Sequence, residues 1–303
     1  MTFWKTLAVA VVSAVALTAC AAQPNASPTR TSGQLKVVVA FYPLQFVAQR
    51  VGGDAVSVEN LTAPGAEPHD LELTAQQIAS LGQADLVIYE KGFQAAVDTA
   101  VAQASPKKVV DAASVWTLKP AVGDEAETPG ALDPHAWLDP TNVATLADAV
   151  SKAITELSPA NQTQTDANAN ALVGELGKLD AGFRTGLAKC DRRMFVTTHA
   201  AFAYLADRYN LTQIPISGLE PTVEPTPARI TEVQKLVKQH GITTIFYETL
   251  VSDKVAKAIA DDLKLRTDVL DPIEGITSAS KASDYVGVMT ANLAALKTAN
   301  GCK

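Results

Sequence analysis

Three of the four histidines and one aspartate stand in local sequences suited to holding a metal ion. His69 lies in Pro64-Gly65-Ala66-Glu67-Pro68-His69-Asp70, and His135 in Asp133-Pro134-His135-Ala136-Trp137-Leu138-Asp139-Pro140. His199 ends Val196-Thr197-Thr198-His199, and Asp271 falls in Val269-Leu270-Asp271-Pro272. Imidazole nitrogen suits zinc, and three neutral imidazoles with one carboxylate complete a tetrahedral shell that leaves a net charge of +1 on Zn²⁺. The four candidates are separated by 66, 64 and 72 residues. Zinc fingers use tight ligand pairs, so a metal here would join elements that are already folded instead of nucleating the fold. Glu248 follows a predicted strand and reads equally as a supporting carboxylate or a helix cap. Trp137, beside His135, reads as packing over the site. The fourth histidine, His240, precedes Gly241 and reads as the last residue of a helix.

Elements that position these residues follow from apolar periodicity. Leu35–Ala40 is the clearest buried strand, followed by a helix over 43–51, a strand over 56–61 and a helix over 74–81 capped by Thr74. A strand over 85–89, a helix over 93–104 and a short strand over 108–110 complete the first half. In the second half strands are expected at 194–197, 213–216, 243–247 and 266–270, with helices at 202–208, 227–240 and 253–263. Alternation of this kind implies parallel sheets covered by helices, and two sets of it imply an α/β fold of two lobes. His199 and Asp271 directly follow predicted strands and His69 follows one through a loop, which places them at carboxyl ends, where open α/β sheets bind ligands.

Between the two sets, Ser158-Pro159 has the order of a helix start, and a polar, Ala-rich stretch continues to about Lys189. As one helix it would be roughly 45 Å long, enough to join both lobes, although Gly174, Gly177, Gly182 and Gly186 weaken it. The expected organisation is an N-terminal lobe over 34–157, a linking backbone helix over 158–189 and a C-terminal lobe over 190–303.

Residues 1–19 read as a signal peptide: Lys5 supplies a positive charge and Leu7–Ala19 is small and apolar, too short to span a bilayer comfortably. Leu17-Thr18-Ala19-Cys20 resembles a bacterial lipobox, which makes Cys20 the expected lipidation site and residues 20–33 a flexible tether. Lys5 and Arg30 are the only charges up to residue 33, so residues 34–303 balance at −9. That acidity argues against nucleic acid and suits a receptor for cations. An exported chain meets oxidising conditions, in which Cys190 and Cys302 have one intramolecular pairing open to them.

Taken together the motifs resemble those of the TroA-like zinc- and manganese-binding lipoproteins that serve as solute receptors for bacterial ABC importers. The similarity runs through FYPL at 41–44, PGAEPHDLELT at 64–74, DPHAWLDP at 133–140, VTTHAAFAYLADRY at 196–209, GLEPTVEPTP at 218–227, FYETLVS at 246–252 and LDPIEGI at 270–276. It implies two lobes on a rigid helix, and His69, His135 and His199 as ligands with Asp271 at the family's carboxylate position. Glu67 is an alternative fourth ligand, because some members use a carboxylate just before the first histidine, although Pro68 intervenes here. Members that favour manganese commonly carry Glu where this chain has His199, so the resemblance implies zinc. Zinc-specific members often carry a His-rich loop before the second ligand, whereas residues 122–132 contain three acids and no histidine. An ABC permease with its ATPase, a membrane reached through the Cys20 anchor, and a monomeric receptor on the outer face of the cytoplasmic membrane or in the periplasm are the implied setting.

Rival classes are a zinc-dependent hydrolase, a manganese receptor and an adhesin of the same fold. Against the hydrolase, the chain contains no HExxH and no Gly-x-Ser-x-Gly. The expectation is a binding protein and not an enzyme.

Overall fold

The structure, a computed structural model, describes Met1, residues 33–121 and residues 130–303. The expected signal peptide, Cys20, most of the tether and most of the 122–132 loop lie outside the described residues. Among the described residues no helix is long and apolar enough to cross a membrane.

The first half alternates as β1 (Leu35–Val39), α1 (Tyr42–Gly52), β2 (Val56–Asn60), α2 (Ala75–Gly82), β3 (Leu86–Tyr89), α3 (Ala95–Ala104) and β4 (Val109–Asp111). Val37, Val38 and Val39 are fully buried, as a strand covered on both faces requires. Thr74 caps α2 in a reciprocal capping box with Gln77, which is why the helix starts where the sequence predicts. The four strands form a parallel sheet in the order β2-β1-β3-β4. A one-turn helix, α4 (Ala112–Val115), and an antiparallel pair, β5 (Lys119–Pro120) with β6 (Leu132–Asp133), lead to the segment carrying His135.

The chain then forms a helical hairpin, α5 (Pro140–Leu157) and α6 (Gln162–Gly186), joined through a 3₁₀ turn at Pro159–Asn161. The 25 residues of α6 span about 37 Å. Its buried face is Thr165, Ala169, Leu172, Leu176, Leu179 and Phe183, spaced by three and four residues. The glycines do not break it: a Cβ at Gly174 or Gly177 would meet nothing within 4 Å, while one at Gly186 would lie 3.2 Å from Leu293 Cδ1. The last glycine therefore lets the C-terminal helix approach closely.

The second half repeats the rhythm with β7 (Met194–Thr197), α7 (Ala203–Arg208), β8 (Thr212–Pro215), α8 (Pro227–His240), β9 (Thr244–Tyr247), α9 (Lys254–Leu263), β10 (Arg266–Val269) and α10 (Tyr285–Asn300). These strands form a second parallel sheet in the order β10-β9-β7-β8, the same winding as the first. Pro215 ends the edge strand β8, where a missing N–H is tolerated. His240 closes α8 before Gly241 at φ 60°, as expected.

One continuous apolar cluster runs from the first sheet through α5 and α6 into α7 and α10, and a second fills the space around α8 and α9. Polar clamps cross the same seam. Arg208 Nε lies 2.7 Å from Asp180 Oδ1 and 3.0 Å from Asp139 Oδ1. Tyr204 donates from its hydroxyl to Asp133 O at 2.7 Å. Cys190 and Cys302 form a disulfide that ties the exit of α6 to the end of α10. The two halves are thus held by a shared core and by polar contacts across the seam, while the disulfide closes the second half on itself.

Candidate metal centre

The carboxyl ends of both sheets converge on one buried site. The loop after β2 delivers His69, the turn after β6 delivers His135, the segment after β7 delivers His199, and the segment after β10 delivers Asp271 and Glu274. In both sheets the order of strands reverses beside the first strand, β1 or β7, which is where open α/β sheets part to form a crevice.

His69, His135, His199 and Glu274 each offer a ligand atom, all within 4.8 Å of one another. Glu274 Oε1 lies 3.3 Å from His69 Nε2, 3.3 Å from His135 Nε2 and 3.5 Å from His199 Nε2. All four side chains are at most 2% exposed. Nε2 of His135 and of His199, and Oε2 of Glu274, are buried without a hydrogen bond among the described residues. A cation is the partner that satisfies such atoms together.

Each imidazole is aimed from behind. Asp133 Oδ1 accepts from His135 Nδ1 at 2.8 Å and from its backbone N at 2.9 Å. Glu248 Oε1 accepts from His199 Nδ1 at 2.8 Å and from the Thr198 hydroxyl. A proton held on Nδ1 leaves Nε2 as the ligating atom, and the carboxylate raises its basicity. His69 Nδ1 faces Glu220 Oε2 at 3.6 Å, while its backbone N donates to Glu67 Oε1 at 3.1 Å. Phe93 packs edge-on to His69 at 4.7 Å between ring centroids and Trp137 lies 5.2 Å from His135, so aromatic walls keep water from the centre.

These carboxylates dominate the electrostatics. Burial opposes a charged imidazole at His69, but Glu220, Glu274 and Glu67 outweigh it and lift the group to about 10. At His199 burial is likewise overcome, by Glu248 and Glu274, again to about 10. Burial alone would raise Glu274, yet the three histidines hold it well below the usual carboxylate range. Burial pushes Asp271 up to about 6, against the hydrogen bonds from Ile273 and Thr249.

The structure brings Glu274, and not Asp271, into the cluster with the three histidines. Asp271 Oδ1 accepts from Ile273 N at 2.8 Å and Oδ2 accepts from the Thr249 hydroxyl at 3.2 Å, so both oxygens are engaged away from the imidazoles. Glu67 stands 4.0 Å from His69 Nε2 and accepts from the backbone of His69 and Asp70, which makes it a loop brace. Glu248 is the supporting carboxylate of His199. Asp133 and Glu220 were not anticipated; Asp two residues before His135 was the available signal for the first, because a short carboxylate there reaches the backbone N and Nδ1 of that residue. A signal for Glu274 was also present, since Asp before Pro commonly bonds its own backbone two residues on.

Comparison with known proteins gives a consistent set. A family profile described as zinc-uptake complex component A, periplasmic, matches residues 37–299. The zinc-binding lipoprotein AdcA of Streptococcus pneumoniae is 34% identical over 312 residues, covering 96% of this chain and 60% of that protein. The chain thus spans about 60% of the length of that relative. The high-affinity zinc uptake system protein ZnuA of Bacillus subtilis is 30% identical over 311 residues and covered to 97% on both sides. Among solved structures, Zn(II)-bound AdcA from Streptococcus pneumoniae aligns with a TM-score of 0.76 at 33% identity, over 88% of this chain and 58% of that one. The laminin-binding protein Lmb of Streptococcus agalactiae, titled a bifunctional protein with adhesin and metal transporting activity, aligns with a TM-score of 0.79 at 30% identity, over 88% and 99% of the two chains.

Proposed function

Because the chain belongs to the zinc-uptake complex component A family, we propose that it is an extracytoplasmic receptor that captures Zn²⁺ between its lobes and delivers it to an ABC permease. One observation carries this reading: three imidazole Nε2 atoms and Glu274 Oε1 converge in a buried cluster, with two of the imidazoles oriented through Nδ1. His69, His135, His199 and Glu274 are the proposed ligands, with zinc as the cargo. Three nitrogens and one oxygen match tetrahedral zinc and fall short of the oxygen-rich, six-coordinate shell that manganese prefers.

Four protein ligands also speak against hydrolysis. Catalytic zinc keeps a position open for water or substrate, whereas a fourth protein ligand, Glu274, would close the tetrahedron. The working unit is proposed to comprise an N-terminal lobe over 34–157, a connecting helix over 158–189 and a C-terminal lobe over 190–303, anchored as a monomer through lipid on Cys20 and served by a permease and its ATPase.

Protein purified without added metal should carry about one zinc per chain, since one closed tetrahedral site is proposed. Competition against a zinc chelator and then against Mn²⁺ measures the preference. A wild-type preference for manganese, or no bound metal at all, would overturn the reading.

A further inference from the structure

The turn that presents Glu274 is held in an unfavourable conformation. Between β10 and α10 the chain reads Leu270-Asp271-Pro272-Ile273-Glu274-Gly275, and Ile273 sits at φ 62°. A β-branched residue in the left-handed region crowds its own backbone, so it stays there only where its surroundings enforce it. Ile273 is fully buried and is followed at once by the carboxylate at the centre of the three histidines.

Three elements enforce the turn. Asp271 Oδ1 accepts from Ile273 N at 2.8 Å, and Oδ2 accepts from the Thr249 hydroxyl at 3.2 Å. Asn292 of α10 accepts from Asp271 N at 2.9 Å and donates to Asp271 O at 2.7 Å. Trp137, two residues beyond His135, donates from Nε1 to Pro272 O at 2.7 Å. The main chain at 271 and 272 is therefore pinned to α10 and to the segment that carries His135. The side chain of Asp271 fixes the residue between those pins and Glu274.

We propose that Asp271 is a positioning residue for Glu274: its carboxylate holds Ile273 left-handed, and that turn directs the Glu274 carboxylate into the three imidazoles. The proposal rests on the zinc-receptor reading of the site. What it requires of residue 271 is an sp² oxygen at Oδ1 and a polar partner for Thr249. Asparagine supplies both, because Thr249 Oγ1 can accept where it formerly donated. A negative charge is required only of a ligand.

Chelator competition with wild type, Asp271→Asn, Asp271→Ala and Glu274→Gln tests this, with Co²⁺ as a second, coloured probe of the ligand shell. Asp271→Asn should keep zinc affinity within about threefold of wild type and leave the Co²⁺ visible spectrum unchanged, whereas Asp271→Ala should lose about 10- to 100-fold and alter it. Asp271→Asn that loses as much as Glu274→Gln would make the charge itself the requirement and overturn the positioning role. Unchanged affinity in Asp271→Ala would overturn it equally. Wild type that binds no zinc would instead overturn the receptor reading on which the role rests.

Discussion

Zinc capture should expel about two protons, a count that follows from the environment of two histidines. In the zinc-free protein His69 and His199 are both lifted to about 10, because facing carboxylates outweigh the burial that opposes their charge. Glu274 is held well below the usual carboxylate range by the three histidines around it and has no proton to give. Zinc takes only the neutral imidazole nitrogen, so at neutral pH it must displace a proton from each raised histidine. Two coupled protons make apparent affinity rise about 100-fold per pH unit between about pH 7 and 9, flattening as pH passes the raised values. Calorimetry in two buffers of different ionisation enthalpy counts the protons, and chelator competition at several pH values gives the slope. Zinc binding with no net proton release and no pH dependence would refute the reasoning. The zinc-free fold responds in the opposite sense. A histidine lifted on folding stabilises the folded state below its ordinary pKa of about 6.5. That contribution is lost as pH climbs through about 10, so the rise in Tm produced by zinc should grow with pH.

Three further outcomes are expected. His199→Ala should weaken zinc more than Glu274→Gln in a chelator competition, since it removes a ligating nitrogen and also leaves the buried Glu248 carboxylate without its imidazole. Cys302→Ser opens a bridge between residues 112 apart; loop-entropy models give about 4–5 kcal/mol as an upper bound, read as a lower urea midpoint with zinc affinity unchanged. Zinc-free and zinc-bound scattering profiles should superimpose, because α6 and the core shared between the two halves resist hinge bending; a marked compaction on binding would contradict that rigidity.

The sheets were legible because β1 and β9 are dense apolar runs bounded by turns, and Thr74 marks a helix start by its own chemistry. His69 and His199 were legible because strand ends in parallel sheets are where side chains meet a ligand, and His135 because of its Asp-Pro-His motif. Less legible were the long helices. The glycines of α6 argue for breakage in isolation, yet Gly186 serves the close approach of α10, a contact that exists only in the tertiary structure. Helix α10 itself was not anticipated: Asn292 and Asn300 are buried polar interruptions of its apolar pattern, satisfied in part by Asp271. The fourth corner turned on a single left-handed residue. Counting outward from β10 favours Asp271, and the turn at Ile273 passes that place to Glu274 three residues later.

The same residues bear on how the proposed receptor would take up a doubly charged ion. With His69 and His199 protonated and Glu274 ionised, these three groups carry two positive charges against one negative in the zinc-free protein. Zinc arrives with two positive charges as those two protons leave, so the net charge in the buried cluster does not change. The carboxylates behind it, Glu248 and Glu220, face the same net charge before and after. An uncompensated charge would oblige the lobes to open or water to enter, since burying one is costly. An exchange of equal charge removes that demand, so a connecting helix and a continuous core would be compatible with the proposed loading and unloading. It also makes protons the natural competitors of zinc: neutral imidazole favours capture, and a fall in pH favours release.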